Sequence, residues 1–150
     1  SRLRRMSCVK WDTWLARLQG LISQVDCALG PGGSRCSDPG RTRAIFGDAI
    51  AALFPGTRLT HTMLVALGPS CQLVAHCDPP IQGVRWHVPL RSNVRCWVML
   101  DGLWLRTEEG LAYPMDPARL HGAVNWGSET RIHLAADLEG ANVSLPRDAG

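Results

Sequence analysis

Two short apolar runs joined by a tight turn occupy residues 94–107, VRCWVMLDGLWLRT. Asp101 and Gly102 form the turn, and both residues tolerate positive φ, so this pair between two such runs is a strong signal for a β-hairpin. Further turn residues recur on both sides of the hairpin at intervals of about 8–12 residues, as in a sandwich or barrel of short strands. The pattern therefore predicts an antiparallel, mainly β protein.

Eight strands are predicted after residue 57, where the sequence changes to short runs of β-branched and aromatic residues. Eight short antiparallel strands are typical of a jelly roll. The predicted strands cover residues 58–67, 72–78, 84–90, 94–100, 103–107, 111–115, 120–125 and 131–138.

The residues before this region are predicted to be largely helical. Apolar residues recur every three or four positions over residues 10–25 and again over 43–54, which is the period of an amphipathic helix. Between them, residues 30–40 are rich in Gly, Pro, Ser and Asp, a composition that favours a loop or flap. We expect this segment either to border a binding site and help select its ligand, or to be a plain surface connection.

Length and composition favour one globular domain. The chain has 150 residues, of which 45% are hydrophobic and 19% are charged. We divide it into a helical part over residues 1–57, a jelly-roll core over 58–138 and a tail over 139–150.

Charge and cysteine usage exclude several classes of protein. The net charge is only +3, and the basic N-terminal cluster lacks the interleaved aromatic residues of a nucleic-acid surface. No apolar run approaches the ~20 residues that span a bilayer. The six cysteines form no C-x-x-C pair, so neither a zinc finger nor disulfide stapling is indicated. We expect a cytoplasmic protein with reduced thiols and no nucleic-acid partner.

His76 and Asp78 lie two residues apart in a predicted strand that ends at Pro79. Side chains at i and i+2 share one face of a strand, so the imidazole and the carboxylate point the same way, while Cys77 faces the other side and is expected to pack. With a third ligand from a distant strand, they would give the 2-His-1-carboxylate arrangement of non-haem iron(II) oxygenases. For the tripeptide alone, a surface His beside an Asp is the more frequent explanation.

His121 precedes Arg131 by ten residues, with a turn between their two predicted strands. Both side chains could then face one cavity. An arginine there suits a dicarboxylate that chelates iron through its 2-oxo acid end, since the planar guanidinium can bind the far carboxylate through two hydrogen bonds. The structural alternative for Arg131 is a salt bridge with Glu129 or Asp137.

Several other polar and aromatic residues allow both a functional and a structural interpretation. Arg85 and His87 share a face of the next predicted strand and are interpreted as polar groups of the pocket, although a solvent-facing Arg and a core His are equally compatible. His133 shares a face with Arg131 and either lines the pocket or sits in the core. Trp97 and Trp104 fall in the hairpin strands and are expected in the core.

In combination, these motifs resemble those of the aspartyl/asparaginyl β-hydroxylase family of 2-oxoglutarate oxygenases. The resemblance covers roughly residues 58–138. It lies in HCD at 76–78, RWHVPL at 85–90, CWV at 96–98, DG at 101–102 and HGAVNWGSETRIHL from residue 121.

This resemblance implies a fold and a site. The fold is a double-stranded β-helix, cupin-like, with the two N-terminal helices packed on it. Iron(II) is bound by His76, Asp78 and His121, and the acidic ligand, which some animal members of the family lack, is present. Arg131 anchors the distal carboxylate of 2-oxoglutarate. By the same resemblance, Arg85 and His87 lie beside that cosubstrate.

The resemblance also implies an activity. It predicts a hydroxylase that uses iron(II), 2-oxoglutarate and O₂, with ascorbate helpful in vitro, and that acts on an amino-acid side chain, free or in a peptide. The alternatives are an oxygenase of another small metabolite or lipid, a metal-dependent hydrolase or isomerase of the cupin type, and a non-catalytic jelly-roll binding module.

Overall fold

The computed structural model describes residues 9–10, 12–25 and 33–140. Within these ranges, two α-helices and ten strands follow one another, and the mainly β fold predicted from the sequence is confirmed. The helices are α1 (Asp12–Leu21), continued by a 3-10 turn (Ile22–Gln24), and α2 (Pro39–Leu53). The strands are β1 (Val9–Lys10), β2 (Ser34–Cys36), β3 (Arg58–Leu67), β4 (Cys71–His76), β5 (Val84–Arg91), β6 (Cys96–Leu100), β7 (Leu103–Arg106), β8 (Leu111–Met115), β9 (His121–Asn125) and β10 (Arg131–Glu139).

The strands of the described ranges form two antiparallel sheets. The large sheet has the order β1-β8-β5-β10-β3-β2, and the small sheet has the order β4-β9-β6-β7. Leu67 and Tyr113 of the large sheet pack with Val98 and Ala123 of the small sheet. The two sheets are therefore the two layers of a jelly roll, with a shared interior between them.

Strand β10 gives the large sheet two different faces, because successive side chains of a strand alternate. Its even-numbered residues, from Ile132 to Leu138, join the core beneath the helices. Its odd-numbered residues Arg131, His133 and Asp137 are also buried, and Arg131 and His133 face the interior between the sheets. Buried polar groups need partners or ligands. The inner face of β10 is therefore the face on which to look for a binding site.

The two predicted helices are confirmed and cover the outer face of the large sheet. Leu18 of α1 and Phe46 and Ile50 of α2 share a core with Trp86 and Leu134 of the sheet. Burying one apolar stripe of each helix against the sheet also excludes water from that side of β5 and β10. The helices thereby make the large sheet a rigid wall for the interior.

Residues 30–40, predicted as a loop, include a strand and the start of a helix, while residues 30–32 lie outside the described ranges. Strand β2 pairs with β3 at the edge of the large sheet, and α2 begins at Pro39 instead of residue 43. The Asp38 side chain accepts a hydrogen bond from the backbone N–H of Arg41 at 2.8 Å. Proline suits the first helical turn, where its missing N–H is not needed. This capping signal outweighs the loop composition.

All eight predicted strands are present, each within two residues of its predicted ends. The largest functional difference is at β4, which ends at His76, so Asp78 follows the strand. The pairing of β4 with β9 is irregular between Leu73 and His76. Asp78 is nevertheless fixed, because its backbone N–H donates to the carbonyl oxygen of Pro117 at 2.8 Å.

Two packing predictions fail at exposed positions. Trp104 was expected in the core but is 54% exposed, because it lies on β7, the edge strand of the small sheet. Cys77 was expected to pack but is exposed. The cysteines of the described ranges, Cys36, Cys71, Cys77 and Cys96, form no disulfide with one another. Within the described ranges, no helix has the length and apolar character that crossing a membrane requires.

Some predictions fall outside the described residues. They concern the basic cluster at Arg2, Arg4 and Arg5, the indole of Trp11, and residues 141–150 of the tail.

Candidate active site

A cavity of ≈ 280 Å³ lies between the two sheets. Its wall includes apolar side chains from both sheets, among them Met63, Val65 and Leu73. It also includes all six residues predicted as site residues, His76, Asp78, Arg85, His87, His121 and Arg131.

Two histidines and one carboxylate meet at this cavity. His76 ends β4 and His121 begins β9, and the two are direct partners across these strands. Their Nε2 atoms lie 3.5 Å and 3.3 Å, respectively, from the two carboxylate oxygens of Asp78. The three ligand atoms fall within 4.8 Å of one another. This donor set can bind one metal ion from one side and leave the other side open.

Backbone carbonyl groups fix the proton on both imidazole rings. Nδ1 of His76 lies 2.7 Å from the carbonyl oxygen of Val74, and Nδ1 of His121 lies 2.8 Å from that of Arg119. A carbonyl oxygen only accepts, so each Nδ1 carries the proton and donates it. With Nδ1 engaged in this way, Nε2 is the ring nitrogen that faces Asp78. Histidines that bind metals are oriented by contacts of this kind.

Arg131 is a buried cation in the cavity wall. Only 3% of its surface is exposed, and its Nε has no hydrogen-bond partner among the described residues. Asp137, one of the two acids that the sequence offered as its partner, binds Arg85 instead. Burial lowers the pKa of Arg131, so the charged form lacks full compensation. A buried guanidinium in this state is suited to bind an anion.

Arg85, by contrast, has a partner. Its Nε and Nη2 donate to the two carboxylate oxygens of Asp137 at 2.6 Å and 2.9 Å. The residues face each other across β5 and β10. This two-pronged hydrogen bond raises the pKa of Arg85. The remaining nitrogen, Nη1, lies 3.9 Å from Asp78. Arg85 therefore reaches the carboxylate of the His-Asp-His group while its charge is balanced from behind.

Two buried histidines complete the inner wall. The ring of His87 stacks on Tyr113 with centroids 5.3 Å apart, and Nδ1 of His133 lies 3.5 Å from the Tyr113 hydroxyl. Burial, with the charges of Arg131 and Arg85, lowers the pKa of His87 to about 3. Burial also lowers the pKa of His133 well below its usual value. Both rings are therefore neutral near pH 7 and offer uncharged hydrogen-bonding groups.

Asn125 holds the turn that connects β9, which begins at His121, to β10, which begins at Arg131. Its side chain is fully buried and donates to the carbonyl oxygens of Leu67 and Glu129 at 3.0 Å and 2.7 Å. Its Oδ1 accepts from the backbone N–H of Gly127 at 3.0 Å. These bonds connect the end of β9 and the turn that precedes Arg131 to β3.

Sequence reasoning left three residues of this site unassigned. Asp137, His133 and Tyr113 were not among the predicted site residues, although His133 and Tyr113 line the cavity and Asp137 holds Arg85. Position along the strand could have identified Asp137 and His133. Both lie an even number of residues after Arg131, and such residues share one face of a strand. His61 lies on β3 and is not among the residues that line the cavity, in agreement with its omission.

The residues fit an iron(II) ion and an anionic cosubstrate. Two imidazole nitrogens and one carboxylate oxygen form the ligand set that non-haem iron oxygenases use. The buried, unpartnered Nε of Arg131 lies in the wall of the same cavity as that set. A metal site with a neighbouring cation can hold an acid that binds the metal with one end and the arginine with the other.

Known proteins resemble this chain in sequence pattern and in fold. The aspartyl/asparaginyl beta-hydroxylase family matches residues 9–140. No curated protein sequence matches. Among solved structures, the viral collagen prolyl hydroxylase vCPH from Paramecium Bursaria Chlorella virus-1, solved as a 2OG complex, is similar at 12% identity and a TM-score of 0.58, over 93% of this chain and 98% of that one.

A second similar structure is the non-heme alpha-ketoglutarate-dependent carbocyclase SnoK from nogalamycin biosynthesis. It is 10% identical with a TM-score of 0.58, over 92% of this chain and 81% of that one. At such identities, both likenesses establish the fold, which is the double-stranded β-helix predicted from the sequence. The family match covers most of the chain and does more: this protein belongs to the aspartyl/asparaginyl β-hydroxylase family of 2-oxoglutarate-dependent dioxygenases.

Proposed function

We propose that this protein is an iron(II)- and 2-oxoglutarate-dependent hydroxylase of an amino-acid side chain, free or in a peptide. The observation that carries the proposal is the pairing, in one cavity, of the His76, Asp78 and His121 group with the buried guanidinium of Arg131, whose Nε has no partner among the described residues. This pairing favours an oxygenase with an anionic cosubstrate over a plain binding module and over a hydrolytic metal site.

In this proposal, iron(II) is bound by Nε2 of His76, Nε2 of His121 and a carboxylate oxygen of Asp78. When bound, the iron supplies oxidative chemistry with O₂ and 2-oxoglutarate, which side chains alone cannot perform. The contacts of both Nδ1 atoms with backbone carbonyl groups keep the two rings in the orientation that binding requires.

Arg131 binds the distal carboxylate of 2-oxoglutarate. A charge-assisted, two-pronged contact in a buried site is both strong and directional, so it orients the cosubstrate toward the metal ligands. His87 and Arg85 lie beside the cosubstrate. His87 contributes a neutral ring whose two nitrogens lack partners among the described residues, and Arg85 contributes Nη1, which also lies 3.9 Å from Asp78.

The apolar wall of the cavity keeps water from the reaction. Met63, Val65 and Met115 line it together with the polar groups. A dry pocket strengthens the Arg131 contact and limits side reactions. The chain supplies positioning, charge compensation and exclusion of water.

We also propose that residues 1–150 form one oxygenase domain. The support is that Leu18, Phe46 and Ile50 of the helical part share one core with the jelly-roll strands. The substrate assignment rests on the family match, whose description concerns aspartyl and asparaginyl residues. The similar structures include a collagen prolyl hydroxylase and a carbocyclase.

The test combines metal binding with turnover. The protein is supplied with iron(II), ascorbate and 2-oxoglutarate, amino acids and short peptides are screened for succinate formation, and positive samples are searched by mass spectrometry for a product one oxygen atom heavier. His121→Ala should abolish both iron binding and succinate formation while the fold is retained. His61→Ala, on β3 outside the cavity wall, is the matched control and should remain active. Near-normal turnover by His121→Ala without bound iron would refute the assignment.

A further inference from the structure

Strand β4 changes the direction of its side chains just before His76. Leu73 and His76 both line the cavity between the sheets. They lie three residues apart, and a regular strand would place such residues on opposite faces. The two residues between them, Val74 and Ala75, are both exposed. The alternation of inward and outward side chains is therefore interrupted between Leu73 and His76.

The pairing with β9 shows how the interruption is accommodated. Leu73 pairs with Ala123 and His76 pairs with His121, so the two residues between them stand opposite one residue, Gly122. Two residues against one form a β-bulge, which re-aims the side chains beside it. Because the bulge takes up the extra residue, His76 faces the same cavity as Leu73. In an unbulged strand with Leu73 in place, the imidazole would point away from the cavity.

Gly122 leaves no room for a side chain at this bulge. A Cβ atom there would lie 2.9 Å from the carbonyl oxygen of Leu73 and 3.2 Å from both N and Cα of Ala75. All three atoms belong to the backbone, which cannot turn aside as the end of a flexible side chain can. Gly122 is not among the glycines with positive φ. The position therefore needs glycine for the close approach of the two strands and not for its conformational freedom.

The backbone that a Cβ would displace directly precedes His76. The same segment holds the imidazole, since Nδ1 of His76 lies 2.7 Å from the carbonyl oxygen of Val74. Asp78, by contrast, is held from another side by the carbonyl oxygen of Pro117. Distances in a metal site tolerate deviations of only about 0.2 Å. A small shift of β4 would therefore move Nε2 of His76 relative to Asp78 and weaken a metal site formed by both.

We infer that Gly122 is a positioning residue for metal binding: its missing side chain allows the bulge in β4, and the bulge turns His76 into the cavity. Gly122 acts through the backbone of β4 and supplies no ligand atom itself. The inference rests on the proposed function, in which His76 is a metal ligand.

The first test measures zinc(II) affinity by calorimetry, with zinc in place of iron. Gly122→Ala should weaken zinc binding by roughly 10–100-fold, the range found when groups that orient metal ligands are changed. The visible absorption of the cobalt(II)-loaded variant should also differ from that of wild type, because the ligand geometry changes. Gly110→Ala is the matched control. Gly110 has positive φ and approaches the side chain of Leu15 outside the cavity wall, so this variant should lose thermal stability but bind zinc within about threefold of wild type.

The second test removes the bulge. Deletion of Ala75 in the Gly122→Ala background lets β4 and β9 pair one to one, and a Cβ at position 122 then has the room that any regular strand provides. This double variant should bind zinc at least about tenfold more tightly than Gly122→Ala alone. A substitution that merely loosened the sheet would not be rescued by shortening the neighbouring strand.

The inference is overturned if folded Gly122→Ala binds zinc within about threefold of wild type, or if Gly110→Ala loses as much affinity. It is equally overturned if the double variant binds zinc no better than Gly122→Ala. If Gly122→Ala does not fold, the double variant decides: a cooperative thermal transition with zinc binding supports the inference, and an unfolded chain overturns it. Wild type that binds zinc but not 2-oxoglutarate would refute the proposed function and leave the role of Gly122 intact, whereas wild type that binds no zinc would refute both.

Discussion

Replacement of Arg131 should affect ligand affinity and stability in opposite directions. Arg131 is 3% exposed and its Nε is unpartnered among the described residues. Its charge therefore destabilises the ligand-free protein and stabilises the complex once an anion binds. Burial lowers its pKa, which means that the folded chain holds this proton less tightly than the unfolded chain does. The charge of Arg131 therefore destabilises the ligand-free fold.

The magnitudes follow from these two states. Removing one partner of a buried ion pair costs about 3–5 kcal/mol, so Arg131→Met should weaken 2-oxoglutarate binding by about two to three orders of magnitude or more. Arg131→Lys keeps the charge but loses the planar fork, and should cost about 1–3 kcal/mol. Without ligand, Arg131→Met should raise the free energy of unfolding by roughly 1–3 kcal/mol, because an uncompensated buried group is removed.

Calorimetry with zinc(II) in place of iron gives the affinity, and urea unfolding without cosubstrate gives the stability. Wild type should gain stability when 2-oxoglutarate is added, whereas Arg131→Met should gain almost none. If Arg131→Met binds 2-oxoglutarate within about threefold of wild type, or if it unfolds more easily than wild type without ligand, Arg131 has a structural role and the reasoning is refuted.

Three further predictions concern the groups that support the site. The pKa of His87 is about 3 in the folded chain against 6.5 for an unperturbed histidine. Between these pH values the unfolded chain binds more protons, so the free energy of unfolding falls as pH decreases. At pH 4.5 the loss from this group is about 2–3 kcal/mol. His87→Asn should flatten that part of the pH profile in urea unfolding, and an unchanged slope would contradict the assignment. Asn125→Ala should lower the free energy of unfolding by about 2–4 kcal/mol, because it leaves buried carbonyl groups unpaired, and it should also weaken 2-oxoglutarate binding; a loss of stability alone would show that the turn does not position Arg131. Gly83→Ala should destabilise more than Gly102→Ala in thermal unfolding. Both glycines have positive φ, but a Cβ on Gly83 would lie 2.1 Å from a backbone oxygen whereas Gly102 faces open space, so equal losses would show that the close approach is relieved without cost.

The features that local chemistry specifies were predictable from the sequence. The Asp101-Gly102 turn fixed the β6–β7 hairpin, and residue parity put His76 and Asp78 toward one point even though β4 ends at His76. Parity also explains why Arg131 and His133 face the same cavity. These predictions depend only on the period of a strand and on turn geometry, which neighbouring residues determine.

Edges and caps were harder to predict. Strand β2 is three exposed residues long and forms only because β3 offers an unpaired edge beside it. Its composition alone indicates a loop. Trp104 was assigned to the core from its apolar character, but strand position decides burial, and β7 is an edge strand. Both cases depend on which strands become neighbours, and a single sequence does not contain that information locally.

The partner of Asp137 illustrates the same limit at the site itself. The sequence offered Asp137 as a partner for Arg131, but the two stand six residues apart on one strand, a span of about 20 Å that no side-chain contact can bridge. Asp137 instead faces Arg85 across two strands, in a register that a bulge between Ile132 and His133 adjusts. A slip of one residue would turn Asp137 to the helix side and leave Arg85 uncompensated. The partner of Arg85 is therefore a property of strand register, which no local pattern around Asp137 reveals.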